Sequence, residues 1–310
     1  MKLNKKAGIS PIFCWFSGLL TLAVCLSIVV FLLVKGVPSI SWRFLTTHPE
    51  VSLTEGLGGG ILGPLVGTLL LTVMGILVAL PWALAMAIYL SEYARQNWGT
   101  DFLRLGIEVL AGVPTIVIAL FGLVLFSYPE LAFLSLKVEG VEQGRAFGKS
   151  FFTAAITMAI MVLPLVTKTV EEALKNVPSA YREAAYALGT SKWRTIKRVI
   201  LPAAKSGVAT GAVLGLGRIA ADVAIVWFCL GAVITFTSPE PWWNPGSWLD
   251  TLRHPGATLT SYIYSASPAG TGNDPARAYG AALVLMALIL FLNGLVDYLQ
   301  RFTRVIKEEK

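Results

Sequence analysis

YREAAYALGTSKWRTIKRVILP, residues 181–202, is a charged island between two long apolar runs. Pro178 suits a helix's first turn, where its missing donor costs little, and Gly189 suits the position just past a helix end. The spacing predicts a first helix of about ten residues, then a second that starts from a cap at Thr190 or Ser191 and runs to Leu201, where Pro202 stops it. In the second, Trp193, Ile196 and Ile200 share one face while Lys192, Arg194, Lys197 and Arg198 crowd the other, as in a helix lying on anionic lipid. The first is different. Ala184, Ala185, Ala187 and Gly189 give it a low surface suited to a protein groove, so of lipid contact and protein docking the residues favour docking.

Outward from this island the chain is apolar. Of 310 residues, 55% are hydrophobic and 14% charged, and mean hydropathy is +0.69, beyond what a soluble domain of this size carries. Six runs approach the length that spans a bilayer as a helix: 12–34, 64–90, 105–128, 151–167, 207–236 and 278–299. They are continuously apolar rather than alternating, which argues against a β-barrel. The first follows Lys2, Lys5 and Lys6 but is too long for a signal-peptide core and lacks a small-residue cleavage site, so it reads as an uncleaved anchor.

Lys and Arg set the orientation. With the N-terminus inside, seventeen fall on the inner side, among them Arg95, Arg104, Lys168, Lys175, Arg182 and Lys205, against six outside, namely Arg43, Lys137, Arg145, Lys149, Arg253 and Arg277. Both termini are therefore expected to be cytoplasmic. The net charge of +7 is this bias, and no nucleic-acid partner is implied. Cys14, Cys25 and Cys229 all lie in apolar runs and read as small buried hydrophobes, while His48 and His254 sit in separate outer loops; no metal site follows.

The chain reads as one all-α membrane domain of six transmembrane helices. Residues 1–62 hold the N-terminal tail, first span and outer loop, residues 63–300 a five-helix core with a cytoplasmic loop at 171–205, and residues 301–310 a cytoplasmic tail. Gly56, Gly58, Gly59 and Gly60 suggest a flexible entry to the second span, and Trp242, Trp243 and Trp248 could anchor the longest outer loop at the interface. Pro81, Pro114 and Pro164 interrupt three spans, and helices broken in lipid hint at a transport path. Gly207, Gly211 and Gly215 stack on one helical face, fit for close packing within the bundle or across a dimer interface. Gly144 to Ser150 imitates a phosphate-binding loop, but with three residues between its glycines instead of four and on the outer side, so no nucleotide is assigned to it.

The island carries a family resemblance. Glu183-Ala184-Ala185, then Gly189, then Val199-Ile200-Leu201-Pro202 match at every spacing the cytoplasmic motif of membrane subunits of bacterial ABC importers, with Val199 in an Ile position. Within that superfamily the chain resembles the A-subunit permease of the phosphate-specific importer through Tyr89 to Ala94, Gly112 to Val117, Arg182 to Thr190, and Arg218-Ile219-Ala220. The resemblance implies a type I (MetI-like) permease bundle in a bacterial inner membrane, forming half of a translocation path. It also implies a second homologous permease, two ATPase subunits and a periplasmic phosphate-binding protein as partners. No cofactor would be bound by this chain, ATP and magnesium being on the ATPase. Glu183, Ala184, Ala185, Gly189, Leu201 and Pro202 would couple to that ATPase.

Arg218 lies about twelve residues into the fifth run, ~18 Å along a helix axis and near the bilayer centre. A charge there costs ~2.5–3.5 kcal/mol or more and usually faces a path or a partner. Asp222, four residues on, is expected to share its face and pair with it when the path is empty, leaving the guanidinium fork for a passing oxyanion. The alternative is a permanent structural ion pair. In the family the motif continues Gly-Glu-Thr where this chain has Ala221-Asp222-Val223, a shorter acid and a lost hydroxyl. A competing class is an ion-coupled secondary anion transporter, which needs no docking helix; an importer permease for another oxyanion would share the cytoplasmic motif. An intramembrane enzyme has no cluster of His, Cys or paired carboxylates in the spans to support it.

Overall fold

The computed structural model describes residues 10–52, 56–95, 97–136, 146–233, 250–270 and 274–308. The longer helices are α1 (Ser10–Gly36), α2 (Leu62–Ile88), α3 (Trp98–Gly112), α4 (Thr115–Phe126), α5 (Phe151–Lys175), α6 (Ser179–Ala187), α7 (Lys192–Ala203), α8 (Lys205–Ala220), α9 (Leu259–Ala266) and α10 (Pro275–Glu308). Among the described residues four are long and apolar enough to cross a membrane unaided, and six spans result when each of two bent pairs counts as one.

The bends correct the simple picture of uninterrupted runs. The third run is a pair, α3 and α4, meeting at 102°. Val113 (φ −72°, ψ 128°) and Pro114 (φ −57°, ψ 136°) are both extended there, the conformation that a proline imposes on its predecessor. Pro81 and Pro164, expected to interrupt their spans in the same way, sit inside the unbroken helices α2 and α5. The fifth run is also divided. Helix α8 ends at Ala220, and a separate π turn, Val226–Leu230, follows.

Helix α5 is the axis of the core. It starts from a capping box in which Ser150 Oγ accepts from Thr153 N–H at 3.1 Å and Thr153 Oγ1 accepts from Ser150 N–H at 3.0 Å. Along it Phe151, Met158, Val162, Val166, Val170 and Leu174 are fully buried, facing Leu71, Ile76, Ala79 and Ala83 of α2 and Leu216 and Ile219 of α8. The glycine stripe of α8 makes this closeness possible. Gly207 lies against Ala173, Gly211 against Val170, and Gly215 against Val166 and Ile76, all within this chain. A methyl group at Gly207 would overlap the Ala173 side chain, whereas one at Gly112 meets nothing within 4 Å. Gly207→Ala is therefore expected to destabilise the bundle by ~1–3 kcal/mol, as overpacking does, and Gly112→Ala to leave thermal unfolding in detergent unchanged.

Helix α1 stands apart, with none of its apolar window buried. It touches α10 near its end, where Phe31 and Tyr279 meet edge to face at 5.4 Å and Gly36 approaches the Tyr279 carbonyl. Cys14 and Cys25 are consequently exposed on α1, contrary to the expectation of burial that held only for Cys229. The glycines before the second span are not a loose entry. Gly56–Gly59 form β2, paired antiparallel with β1 (Pro49–Ser52) in register Pro49↔Gly59, and Gly60 packs on the Phe44 and Thr47 carbonyls. Trp242, Trp243 and Trp248 lie outside the described residues, as do Gly144 and Arg145.

Candidate functional site

Two interrupted helices meet near the middle of the bundle. Arg218 occupies the last turn of α8, where the free carbonyls of a helix end favour a cation. Thr115 opens α4 immediately after the Val113-Pro114 elbow. The Arg218 Nη2 donates to Thr115 Oγ1 at 3.1 Å, and the Arg218 side chain is otherwise exposed. Both line a cavity of about 360 Å³ together with Val113, Pro164, Lys168 and Glu172. Pro164, Lys168 and Glu172 repeat every fourth residue and so share one face of α5, a pattern that could have marked Lys168 and Glu172 from the sequence. Lys168 Nζ stands 4.0 Å from Glu108 Oε1, too far to hold it firmly. The cavity thus carries a guanidinium, an ammonium, a hydroxyl and the amino end of α4, groups that receive an oxyanion, together with one carboxylate, that of Glu172, which opposes one.

Asp222 does not join them. No ion pair within 4.0 Å connects it to Arg218 among the described residues, because α8 has already ended and the four-residue helical spacing no longer applies. The buried Asp222 is held by the backbone and by Thr260 instead. Its Oδ1 accepts from Ile225 N–H at 2.8 Å, capping the next helical segment, and its carbonyl accepts from Thr260 Oγ1 at 3.1 Å. Asp222 builds the break that lets Arg218 sit at a helix end.

At the inner end the expected helix pair is present. Gly189 has φ +70°, its N–H donates to Tyr186 O at 2.9 Å, and Thr190 N–H donates to Ala185 O at 3.3 Å, a Schellman closure of α6. Thr190 Oγ1 ties the turn further, to Ala185 O at 2.8 Å and Thr195 Oγ1 at 2.8 Å. Glu183 and Ala184 are exposed, Ala185 is buried, and Leu188 is 83% exposed. Tyr181, Ala184, Leu188 and Val199 border a shallow cavity of about 360 Å³. Leu188, at the end of this short helix, stands open beside the exposed Ala184 and Ala187.

The second helix departs from expectation in two ways. Pro202 does not stop it, for α7 loosens into a π turn at Ile196–Ile200, with Leu201 N–H bonded to Ile196 O, and this wider coil carries Pro202 to Ala203. A 69° bend then leads into α8, and Leu201 and Pro202 are half-buried at that corner. Nor do Trp193, Ile196 and Ile200 form one lipid-facing stripe. Ile196 and Ile200 are fully buried in the core, and Trp193 is exposed.

Comparison with known proteins follows the same lines. Residues 75–305 match the family described as binding-protein-dependent transport system inner membrane component. The chain is 31% identical over 277 residues to the probable ABC transporter permease protein YqgI of Bacillus subtilis, covering 87% of each. It is 31% identical to the phosphate transport system permease protein PstC 2 of Mycobacterium tuberculosis (86% of this chain, 83% of that one) and 33% identical to PstA 1 of the same species (78% and 70%). Among solved structures, a bacterial alginate ABC transporter in complex with its alginate pentasaccharide-bound periplasmic protein superposes with a TM-score of 0.58, covering 94% of this chain and 96% of that one at 18% identity, a likeness of fold alone.

Proposed function

Because the chain belongs to the binding-protein-dependent transport system inner membrane components, we propose that it is the membrane half-path of an ATP-driven importer whose solute is inorganic phosphate. The family supplies the coarse statement: this is the permease of an ABC importer, without catalysis of its own, and ATP is hydrolysed on a separate subunit. Phosphate is the finer reading, supported by relatives of both the PstC and the PstA kind, so assignment to the A subunit in particular rests on the resemblance through Tyr89 to Ala94, Gly112 to Val117, Arg182 to Thr190 and Arg218 to Ala220.

The observation that carries the reading is the pairing of two helix breaks, with Arg218 at the carboxyl end of α8 and Thr115 at the amino end of α4. Half-helices meeting at mid-membrane are how transporters arrange ion sites. Arg218 offers a planar fork of donors, Thr115 a hydroxyl that releases when an anion takes its place, and Lys168 a second cation toward the inner side. On the inner surface, Glu183, Ala184, Ala185 and Gly189 form the docking face, and Leu201 and Pro202 the corner through which its movement reaches α8. Both termini then lie in the cytoplasm, a second permease completes the path, two ATPases dock beneath, and a phosphate-binding protein delivers from outside.

Purification from the native membrane with its partners, followed by ATP hydrolysis assays with loaded binding protein, tests this. Phosphate is expected to stimulate hydrolysis and sulfate or molybdate to leave it at the basal rate; stimulation by either of those instead would move the solute to another oxyanion.

A further inference from the structure

Helix α2 ends at the inner surface in a π turn, Tyr89–Tyr93, and polar contacts from two directions converge on it. From α6 comes Arg182. Its Nη2 lies 2.7 Å from Glu92 Oε1 and its Nε lies 3.3 and 3.4 Å from the two carboxylate oxygens. The same guanidinium donates to Val177 O at 2.6 Å and Leu174 O at 2.9 Å, so one planar group joins α6, the end of α5 and the end of α2. The Glu92 side chain is 5% exposed, so the pair is little screened by solvent.

From α3 comes Arg104, whose Nη2 donates to Leu90 O within the π turn at 3.3 Å and whose Nη1 meets Glu171 Oε1 of α5 at 2.9 Å. Lys175 Nζ holds the same Glu171 oxygen at 2.7 Å. The other end of α3 is Gly112, at the elbow that presents Thr115 to Arg218. A continuous set of held contacts therefore runs from α6 through the π turn and α3 to the candidate anion site. Between α5 and α6 the chain passes Asn176-Val177-Pro178, with no regular helix; without the Arg182 clamp, α6 could swivel there and leave the bundle unmoved.

We propose that Glu92 is a positioning residue which, through Arg182, makes the π turn Tyr89–Tyr93 the node that carries displacement of α6 to the α3–α4 elbow. The proposal rests on the reading that α6 receives the ATPase's stroke. It adds the route by which that stroke reaches the membrane centre, and two bistable arrangements of the node are all that it requires.

The test uses the intact transporter with its ATPase and spin labels at Gly112→Cys and Thr210→Cys, both exposed, in a Cys14→Ala, Cys25→Ala background. ATP is expected to change the label-to-label distance, and Glu92→Gln to abolish that change while the ATPase still co-purifies. Should Glu92→Gln not assemble, Glu92→Asp, which keeps the charge and withdraws it by one methylene, is expected to assemble with a reduced change. An undiminished change in the assembled variant overturns the proposal, and so does an elbow that ATP leaves in place in the unsubstituted protein. The measurement needs no solute, so failure of phosphate to stimulate hydrolysis would count against the solute alone.

Discussion

Arg218→Gln is expected to cut anion uptake by roughly one to two orders of magnitude, the loss of a charge-assisted hydrogen bond worth ~1.5–3 kcal/mol, while the transporter still assembles. The second half follows from location. Arg218 is exposed to the cavity and its hydrogen bond goes to the Thr115 hydroxyl, so the substitution removes a cavity-facing contact rather than a piece of the packed core. Uptake by reconstituted vesicles and co-purification of the ATPase check the two parts separately. Asp222→Asn makes the contrast. Because Asp222 Oδ1 serves Ile225 N–H and an asparagine carbonyl oxygen can do the same, this change is expected to leave uptake within a few-fold of the unsubstituted protein, whereas a permanent Arg218–Asp222 pair would make both substitutions equally damaging.

Gly189→Asp is the second large effect. Nothing lies within 4 Å of a side chain placed there, so steric crowding is not the cause; the φ of +70° is. A side chain in the left-handed region costs up to ~1–2 kcal/mol, less for Asp than for Ala, and relief of that strain opens the Schellman closure that sets the angle of α6. Asp also adds a negative charge to the proposed docking face. Retention of the ATPase through affinity purification is expected to fall by about tenfold, as ~1.4 kcal/mol implies. Gly189→Ala, which has the strain without the charge, is expected to lower retention through the backbone alone.

The helix–turn–helix was legible from Tyr181 to Pro202 because its signals are local. A glycine with positive φ and a proline act through their own backbones, although Pro178 stands at the N-cap, just before the first turn it was expected to join. The six apolar runs were legible for a similar reason, since continuous hydrophobicity is a property of a segment. The bends were not. Pro81, Pro114 and Pro164 look alike in sequence, yet only Pro114 breaks its helix, while Pro81 and Pro164 lie inside the continuous helices α2 and α5. The break after Ala220 has no proline or glycine at all; it is held by Asp222 and by Thr260, which comes from a distant segment. With that break unseen, the spacing of Arg218 and Asp222 pointed to a pair that the folded chain does not form. Arg182 and Glu92, ninety positions apart, could not be joined from spacing of any kind.

Reconstitution of the chain with its partner permease, in liposomes carrying phosphate-loaded binding protein and a proton or sodium gradient, tests the dependence on an outside energy source most directly. Uptake is expected to be absent until the ATPase and ATP are added, and to appear then whether or not a gradient is imposed. Accumulation driven by the gradient alone, with no ATPase present, would contradict the account.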